Sequence, residues 1–491
     1  MRYCRAVARR LGEFGKDNSG SFAVITAAIM TVLVLSAGYA VNIAQLHNVR
    51  SDLKQAIDAA VTSTARDITI GKIKAEDAQE WIERFLKANG DPALVSGDRL
   101  ALDRLVIDKA KSTIEVAAHV DVDLYFPLFG LSNQRRVTNM SAAVYADKKI
   151  EVAMMLDVTG SMEKKGRKDK IGDLRAAAKN AVESMLKYQD KKNPRVRVAL
   201  VPYASGVNVG QLAGNVYAEK SGRSDLPPLA DDSVIGGRRG TTELPAFGTY
   251  VSKVGSAFRR DDNCATERKD RNGNPDFTDD GPDTVRKDRN GKKYYALVNR
   301  DDNLSGSGMN ACPDAKVIPL TADQGALLDS IGKFKASGYT AGAIAVQWTY
   351  YMLSPKWRGA IKTAKLGDGP ADHDQRKISK VAILMTDGQF NTAFAGVSRN
   401  FNSQDSKARQ SAETICRNMK DDKIEIFTIG FDLDNTDMSR QEREAAKSVL
   451  RNCATADSSG IKHYFEASTG EELDNALQEI ISNTERLALT Q

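Results

Sequence analysis

Three separated segments of the sequence carry side-chain oxygens in a pattern suited to a hard metal ion. In the first, Asp157, Thr159 and Ser161 occupy alternate positions, so one carboxylate and two hydroxyls can turn toward a common point. Thr340 precedes a predicted helix and adds a hydroxyl, and Asp387 follows a predicted strand and adds a second carboxylate. Because an all-oxygen set suits Mg²⁺, Mn²⁺ or Ca²⁺ better than Zn²⁺, we predict a divalent-cation site, with Mg²⁺ as the first choice.

Two other interpretations of these residues are open. Asp157 and Asp387 could serve only to cap loops. A phosphatase of the haloacid-dehalogenase type would need a second Asp two residues after an Asp nucleophile. That position is Thr159, which cannot act as the acid or base. The four histidines, at positions 47, 119, 373 and 463, form no catalytic arrangement by spacing. We therefore predict a binding protein and not an enzyme.

The elements that must position these oxygens alternate between strand and helix from Lys149 onward. In open α/β sheets, ligands bind beyond the carboxyl ends of the strands, which is where Asp157 and Asp387 fall. The alternation predicts a parallel, doubly wound sheet covered by helices on both faces. The predicted strands are 150–156, 196–201, 381–385, 424–429 and 464–466, and the predicted helices are 170–187, 341–353, 406–419, 440–451 and 470–485.

A long polar insertion interrupts this alternation at about residues 205–321. The hexapeptide Arg-Lys-Asp-Arg-Asn-Gly occurs in it twice, at 268–273 and 286–291, and Asn-Gly is a strong turn signal. The run from Asp270 onward has part of the spacing of a calcium loop, but Pro275 replaces the required Gly and Gly281 replaces the required Glu. Turns are the better interpretation there.

A charge-free apolar run lies near the N-terminus. Residues 22–44 are long enough to cross about 30 Å of hydrocarbon as a helix. The preceding segment, 1–21, carries five basic residues against two acidic ones, so the positive-inside rule predicts a cytoplasmic N-terminus with the C-terminal bulk beyond the membrane. A single-pass anchor is the preferred interpretation, and a cleaved signal peptide or a buried core helix are the alternatives.

Residues 45–148 predict a small helix-plus-sheet stalk region. Apolar residues recur along one helical face after the span, and from Leu100 onward the pattern changes to short alternating runs typical of strands. The apolar face is formed by Leu46, Val49, Leu53, Ile57 and Val61.

The cysteines agree with export. Cys264, Cys312, Cys416 and Cys453 form an even set beyond the predicted span, where disulfides persist. Four cysteines allow three pairings. We favour Cys264–Cys312 and Cys416–Cys453, with four free thiols as the alternative.

Overall composition excludes several classes of protein. Of 491 residues, 41% are hydrophobic and 27% charged, so the chain can fill a core and is neither disordered nor of low complexity. The net charge of +6 is small for this length. Since no basic run with interleaved aromatics is present, we predict no binding to nucleic acid.

The oxygen-bearing segments, in their order and strand context, resemble the metal-ion-dependent adhesion site (MIDAS) of von Willebrand factor A domains. The family pattern Asp-x-Ser-x-Ser, then Thr, then Asp matches Asp157, Thr159, Ser161, Thr340 and Asp387, with Thr159 in place of a Ser. The resemblance covers residues 149–487. It implies that the hydroxyls bind the metal directly, that the carboxylates act partly through water, and that a partner's acidic residue completes the coordination.

The N-terminal part resembles TadG-like proteins of tight-adherence (Flp) pilus systems, in the TadE/TadG family. The matching segments are 20–25 at the start of the span, 53–60, 201–203 with 207–209, and 353–355. Ile25 stands where related pseudopilins carry a Glu, which argues against prepilin-peptidase processing. The resemblance implies an inner-membrane protein whose periplasmic or surface-exposed part binds a protein partner in pilus assembly or cell adhesion. A generic envelope adhesion or scaffold protein is the runner-up.

Overall fold

The computed structural model describes residues 19–69, 72–89, 99–108, 113–127, 133–145, 148–187, 194–218, 264–270, 274–287, 291, 293–299, 312–375, 377–397, 400–434, 438–458 and 460–490. Most of the predicted basic segment 1–21, much of the insertion, and the Asn-Gly turns of both hexapeptides lie outside these residues. The chain forms two compact units, Met1–Ala146 and Asp147–Gln491.

The first unit is built on one helix, α1 (Ser19–Thr69), of 51 residues. Its N-terminal half is apolar and exposed around nearly its whole circumference. Its C-terminal half is amphipathic, and Leu53, Ile57 and Val61 are fully buried on the predicted face. Among the described residues, this is the one helix long and apolar enough to cross a membrane.

Helix α2 (Ala78–Asn89) and a three-stranded sheet complete this unit. The antiparallel strands are β1 (Leu100–Asp108), β2 (Thr113–Asp123) and β3 (Gln134–Val144), in that spatial order. Alternate residues of β2 are buried, as expected for a sheet with one face on a core. That face packs with α1 and α2, so the stalk region has a small core of its own.

The second unit contains a mixed sheet in which five consecutive strands, beginning at one edge, are parallel. They are ordered β15 (Tyr464–Ala467), β14 (Glu425–Phe431), β13 (Ile378–Thr386), β4 (Lys149–Asp157) and β5 (Val196–Tyr203). Strands β4 and β13 are almost continuously buried, as parallel strands covered on both faces must be. The predicted strands are present; four of them are longer than predicted by one to four residues, and β14 begins one residue later and ends two residues later than predicted.

Helices cover both faces of this sheet. On one side, α6 (Gly342–Tyr351) crosses β4, β5 and β13, and α8 (Asp405–Asp421) and α9 (Arg440–Cys453) pack beside it. On the other, α3 (Lys170–Leu186) packs against α10 (Gly470–Thr490). The sequence analysis did not predict α5 (Gln324–Gly332), which packs on α3, or the short helix α7 (Arg358–Thr363).

The expectation of a wholly parallel sheet, with a merely polar insertion beside it, was wrong. Residues of the insertion extend the sheet past β5 through β6 (Val207–Asn208) and β8 (Cys264–Ala265), and β12 (Ile318–Thr321) also pairs with β5. All three pairings are antiparallel. The insertion also contains a short helix, α4 (Ala213–Val216), and two separate strand pairs: β7 (Tyr217–Ala218) is parallel to β11 (Val298–Asn299), and β9 (Val285–Lys287) is antiparallel to β10 (Lys293–Tyr295). Strands of two to four residues carry too little periodicity to be seen in sequence.

The described part of the insertion contains buried charged side chains that pair with one another. The Arg268 side chain is almost fully buried and forms an ion pair with Asp276, 2.8 Å away. Asp276 also contacts Arg286, which contacts Asp280 at 2.7 Å. The Asp270 carboxylate accepts the Asn274 amide at 2.9 Å. The carboxylates of Asp276 and Asp280 therefore pair with arginines.

Two disulfides join cysteines in the second unit. Cys264 bonds Cys312, with their Cα atoms 5.8 Å apart, and so ties β8 to the segment before β12. Cys416 bonds Cys453, with a Cα–Cα distance of 5.1 Å, and so ties α8 to the last residue of α9. Both pairings are the ones favoured from the sequence.

Candidate metal centre

The two predicted carboxylates lie side by side at one edge of the main sheet. Asp157 is the last residue of β4, and Asp387 directly follows β13, its parallel neighbour. Parallel strands present their carboxyl ends at a common edge, so residues 230 positions apart in sequence meet there. Both carboxylates are buried, and the Asp387 amide donates to Asp157 Oδ2 at 3.3 Å.

Asp157 accepts hydrogen bonds at both carboxylate oxygens. Oδ1 accepts from the amide and hydroxyl of Thr159, at 2.9 and 2.6 Å. Oδ2 accepts from the Tyr203 hydroxyl at 2.7 Å and the Thr386 hydroxyl at 2.8 Å, besides the Asp387 amide. This carboxylate therefore holds three strand ends and the following loop in register, and few of its lone pairs remain for a metal.

A chain of hydroxyls leads from Asp157 to Asp387. Thr159 Oγ1 lies 2.9 Å from Ser161 Oγ, which donates to Asp387 Oδ1 at 2.5 Å. Thr159 is buried and Ser161 is exposed. The carboxylates and Thr159 are consequently buried, and the site is open to solvent at Ser161.

The segment carrying Thr340 lies against the same loop. The Gly160 amide donates to the Gly338 carbonyl at 2.9 Å, and Thr340 itself is buried. Gly342, two residues later, is required for packing, because a Cβ there would meet the Phe390 ring at 2.0 Å. All five predicted residues thus belong to three segments in mutual contact.

A lysine that the sequence analysis did not single out belongs to the site. Lys170, the first residue of α3, places its Nζ 2.9 Å from Asp387 Oδ2 and 3.3 Å from Asp432 Oδ2. Lys168 contacts Asp432 from the solvent side. Nothing in the spacing indicates this contact, since 217 positions separate Lys170 from Asp387.

The charges at the site shift the pKa values of its members. Burial, followed by the negative charge of Asp157, raises the pKa of Asp387 to about 6, against the opposing effects of Lys170 and Ser161. Burial and Asp157 also raise the pKa of Tyr203 well above its usual range, so this phenol is a hydrogen-bond donor at neutral pH. Burial lowers the pKa of Lys170, but Asp387 and Asp432 outweigh it, so the net shift is upward and the ammonium is charged.

The insertion contacts the loop that follows Asp387. The buried carboxylate of Glu267 accepts the Phe394 amide at 3.0 and 3.1 Å. Burial raises the pKa of Glu267 in spite of these bonds. Asn391, on the same loop, exchanges hydrogen bonds with the backbone of Thr340. The loop is thus held on one side by the insertion and on the other by the Thr340 segment.

A second group of possible ligands consists of Asp279, Asp422 and His373, whose ligand atoms lie within 4.8 Å of one another. The Asp279 carboxylate already contacts Lys356 Nζ and the Ser354 hydroxyl, both at 2.6 Å. Asp422 accepts from the Tyr350 hydroxyl at 2.5 Å. The carboxylates of this cluster thus already have protein partners, as those of Asp157 and Asp387 have.

No protein-family model and no curated protein matches the sequence. Solved structures similar to this chain at low identity include three pilus proteins. The pilus adhesin SpaC from Lactobacillus rhamnosus GG, in its open conformation, has 11% identity and a TM-score of 0.35 over 79% of this chain. The vWF domain of the type V pili tip protein Mfa5 from Porphyromonas gingivalis has 12% identity and a TM-score of 0.34, covering 70% of this chain and 97% of that one.

The third is the adhesive tip pilin GBS104 from Group B Streptococcus agalactiae, with 10% identity and a TM-score of 0.33, covering 68% of this chain and all of that one. The matched part of SpaC is about a third of its length, 34%. Scores in this range do not establish a shared fold. What the structure itself establishes is a mixed α/β unit with carboxylates and hydroxyls clustered at one sheet edge, and a separate unit carrying a long apolar helix.

Proposed function

We propose that the chain is a membrane-anchored, metal-dependent protein-binding module whose second unit is a von Willebrand A-type domain. The observation that carries this proposal is the continuous contact Asp157–Thr159–Ser161–Asp387 at the carboxyl ends of two neighbouring parallel strands. A ligand site at that place is the rule for open α/β sheets. The donor set is oxygen throughout, as Mg²⁺ requires.

The available oxygens fit a small octahedral cation. Thr159 Oγ1 and Ser161 Oγ are 2.9 Å apart, which is about the separation of adjacent ligands around Mg²⁺ at 2.0–2.1 Å. These two hydroxyls, with that of Thr340, would hold the ion. Asp387 and Asp157 would orient them and balance the charge. Bound Mg²⁺, Mn²⁺ or Ca²⁺ would supply an open coordination position for a carboxylate of a protein partner.

Binding is favoured over catalysis by the state of Asp157. Its two oxygens accept from Thr159, Tyr203 and Thr386 at 2.6–2.8 Å, besides two backbone amides, so it is poorly placed to act as a nucleophile. Thr159 occupies the position where a phosphatase would need its acid/base group. We therefore assign no enzymatic activity.

Membrane attachment and the pilus context rest on the first unit and the N-terminal sequence. The exposed apolar half of α1 matches a single-pass anchor, and the basic flank predicts a cytoplasmic N-terminus with both folded units in the periplasm or at the surface. The resemblance of segment 20–25 and its companions to TadG-like proteins assigns the module to Flp, or tight-adherence, pilus assembly or to adhesion.

Metal titration of the full chain in detergent tests the central step. Mn²⁺ binding, followed by electron paramagnetic resonance, should be competed by Mg²⁺ and should weaken sharply in Asp387→Asn. The matched control is Asp372→Asn, because the Asp372 side chain is exposed and precedes the amino end of β13, whereas Asp387 follows its carboxyl end. Equal Mn²⁺ affinity in the wild type and Asp387→Asn would contradict the proposal.

Cells expressing Asp387→Asn should also lose surface attachment, and attachment by the wild type should fail in EDTA and return with Mg²⁺. Attachment that is insensitive to EDTA would remove the metal from the binding function. Hydrolysis of a phosphomonoester with Mg²⁺, abolished in Asp157→Asn, would favour the enzyme alternative.

A further inference from the structure

The feature that the proposed site leaves unexplained is an aromatic loop held against the apolar half of α1. The loop consists of Leu124, Tyr125, Phe126 and Pro127, directly after β2. Tyr125 is 72% exposed and Phe126 is 48% exposed. Two large exposed aromatics in sequence are uncommon on a soluble surface and indicate a contact surface.

The loop is seated in a notch on the helix. Gly38 and Asn42 are the buried positions on α1 between Val24 and Ile43. They lie one turn apart on the same side; the Phe126 ring lies against Gly38, and the Phe126 backbone lies against Asn42. A Cβ on Gly38 would approach Phe126 Cγ to 3.2 Å, so a larger residue there would require the ring to shift.

Polar side chains of the helix satisfy the backbone of the loop. Asn42 Nδ2 donates to the Phe126 carbonyl at 2.7 Å, and Asn42 Oδ1 accepts the Phe126 amide at 3.1 Å. One turn later, Gln45 donates to the Asp123 carbonyl at 2.8 Å and accepts the Tyr125 amide at 3.3 Å. Two amide side chains thus form hydrogen bonds with four backbone groups that water would otherwise solvate.

This arrangement is what a loop at the edge of a bilayer needs. Non-helical backbone at membrane depth must have its polar groups paired within the protein, because lipid offers no partners. The loop lies beside Gly38 and Asn42, within the last turns of the apolar run, where a membrane span gives way to the headgroups. Tyr39, 55% exposed, is at the same level on the helix, and tyrosines are enriched at that level of membrane proteins.

Charge distribution agrees with this depth. The apolar half of α1 and the four loop residues carry no charge. Immediately beyond the loop, the Arg99 guanidinium pairs with Asp123 at 3.0 Å, and Arg136 pairs with Asp121 through two bonds of 3.0 Å. Charged groups therefore begin where headgroups and water would begin.

We propose that the loop Leu124–Pro127, with Tyr39, is a membrane-interface anchor that seats the first unit on the lipid surface. This inference rests on the membrane-anchored part of the proposed function and is independent of the metal site. The occupant of the exposed aromatic surface is the interfacial region of the bilayer, because that surface is continuous with the exposed apolar surface of α1. Asn42 and Gln45 are positioning residues that hold the loop at that depth.

Brominated lipids test the proposal on the full chain in vesicles of phosphatidylcholine and phosphatidylglycerol. Bromine on the acyl chains quenches a tryptophan only at close range. Tyr125→Trp places a probe on the loop, and Met140→Trp is the matched control, because Met140 is 71% exposed on β3 but lies away from the loop. The emission of the three native tryptophans is subtracted using the wild type.

The expected result is a blue-shifted emission from Tyr125→Trp that is lost in brominated vesicles, with no change for Met140→Trp. Adding Asn42→Leu to the Tyr125→Trp variant should reduce the quenching, because the loop loses its hold on the helix. Unquenched emission from Tyr125→Trp overturns the proposal. So does emission that is shielded from aqueous iodide yet unaffected by brominated lipid, since a protein partner or a second copy would then cover the loop.

Flotation of the same samples separates this test from the proposed function. A chain that does not float with the vesicles lacks the anchor itself. A chain that floats and leaves Tyr125→Trp unquenched retains the anchor and contradicts only the role of the loop. Neither result depends on the divalent cation.

Discussion

The two ends of the same pair of strands in the main sheet carry buried charge in opposite ways. At the amino end, Glu151 of β4 pairs with Lys380 of β13 at 2.8 Å and contacts Arg197 of β5. At the carboxyl end, Asp157 and Asp387 are buried together, with Lys170 as their nearest cation.

The difference lies in how completely each end balances its own charge. The Lys380 ammonium also donates to the carbonyls of Leu353 and Ala371, both at 2.7 Å, so its donors are filled. Burial lowers the pKa of Lys380, and Glu151 opposes that shift. At the carboxyl end, by contrast, burial and like charge raise the pKa of Asp387. Buried charge alone therefore does not indicate a binding site. The carboxyl end differs because two buried carboxylates face the Lys170 ammonium, and the proposed cation would correct that imbalance.

The largest effect on stability is expected at the amino end, where Glu151 pairs with Lys380. Glu151→Ala leaves Lys380 buried without its counter-ion, and breaking a buried pair in this way costs about 3–5 kcal/mol of the free energy of unfolding. Urea denaturation of the full chain measures it, with Glu183→Ala on the exposed side of α3 as the control. Equally small losses of stability in Glu151→Ala and Glu183→Ala would show that the Glu151–Lys380 pair is dispensable for stability.

A smaller effect on stability is expected from binding of Mg²⁺ at the carboxyl end, beside Asp157 and Asp387. Mg²⁺ at about 100 times its dissociation constant should stabilise the wild type by about 2.7 kcal/mol, because it binds only the folded state. EDTA should remove this gain, and Asp387→Asn should abolish it. The same stabilisation by Mg²⁺ in Asp387→Asn would place the ion elsewhere in the chain.

Asp157 should affect the metal through the groups that it positions. Asp157→Asn keeps the shape of the side chain but replaces one acceptor oxygen with a donor, which then faces either the Thr159 pair or the Tyr203 and Thr386 hydroxyls. Losing a supporting interaction of this kind typically weakens metal binding by about 10–100-fold. Calorimetric titration with Mn²⁺ measures the loss, and an unchanged affinity would limit Asp157 to a structural role.

The smallest effect, and the one of opposite sign, is expected at Lys170. Lys170→Met removes the ammonium that now faces Asp387 and should raise metal affinity by roughly tenfold, since two unit charges at about 4 Å interact by about 1–4 kcal/mol in a partly solvated site. Lys168→Met is the matched control, because Lys168 is exposed and contacts only Asp432 among these carboxylates. A weaker affinity in Lys170→Met would show that the ammonium supports the site instead of competing for it.

Sequence reasoning reached strands that bury apolar residues in continuous runs and helices that bury apolar residues on one face. Strand β4 was predicted as 150–156 and spans Lys149–Asp157, and α9 was predicted as 440–451 and spans Arg440–Cys453. Such sequence patterns determine local structure by themselves. Asp157 and Asp387 could be placed together because parallel strands end at one edge.

The remaining parts of the site depend on contacts between distant segments. The Tyr203 hydroxyl bonds to Asp157 across two strands, and the Lys170 ammonium meets Asp387 from the start of a helix. The Glu267 carboxylate, deep in an apparently polar insertion, binds the loop beyond Asp387. No periodicity marks these contacts, and the match of segment 201–203 to TadG-like proteins does not indicate what Tyr203 bonds to, because the tertiary arrangement alone brings these partners together.

The unbroken course of α1 has a mechanical consequence under the proposed anchoring. Its 51 residues correspond to a rod of roughly 77 Å at about 1.5 Å per residue, of which about 20 residues suffice to cross the hydrocarbon. The rest of the rod forms part of the core of the first unit through Leu53, Ile57 and Val61. A tensile load on the first unit would therefore pass through its packed core and α1 into the bilayer. Because a spanning helix is held effectively irreversibly and a folded domain is stabilised by only about 5–15 kcal/mol, the small core would yield before the helix leaves the lipid, and an additional contact of the first unit with the membrane surface would help that core to resist the load.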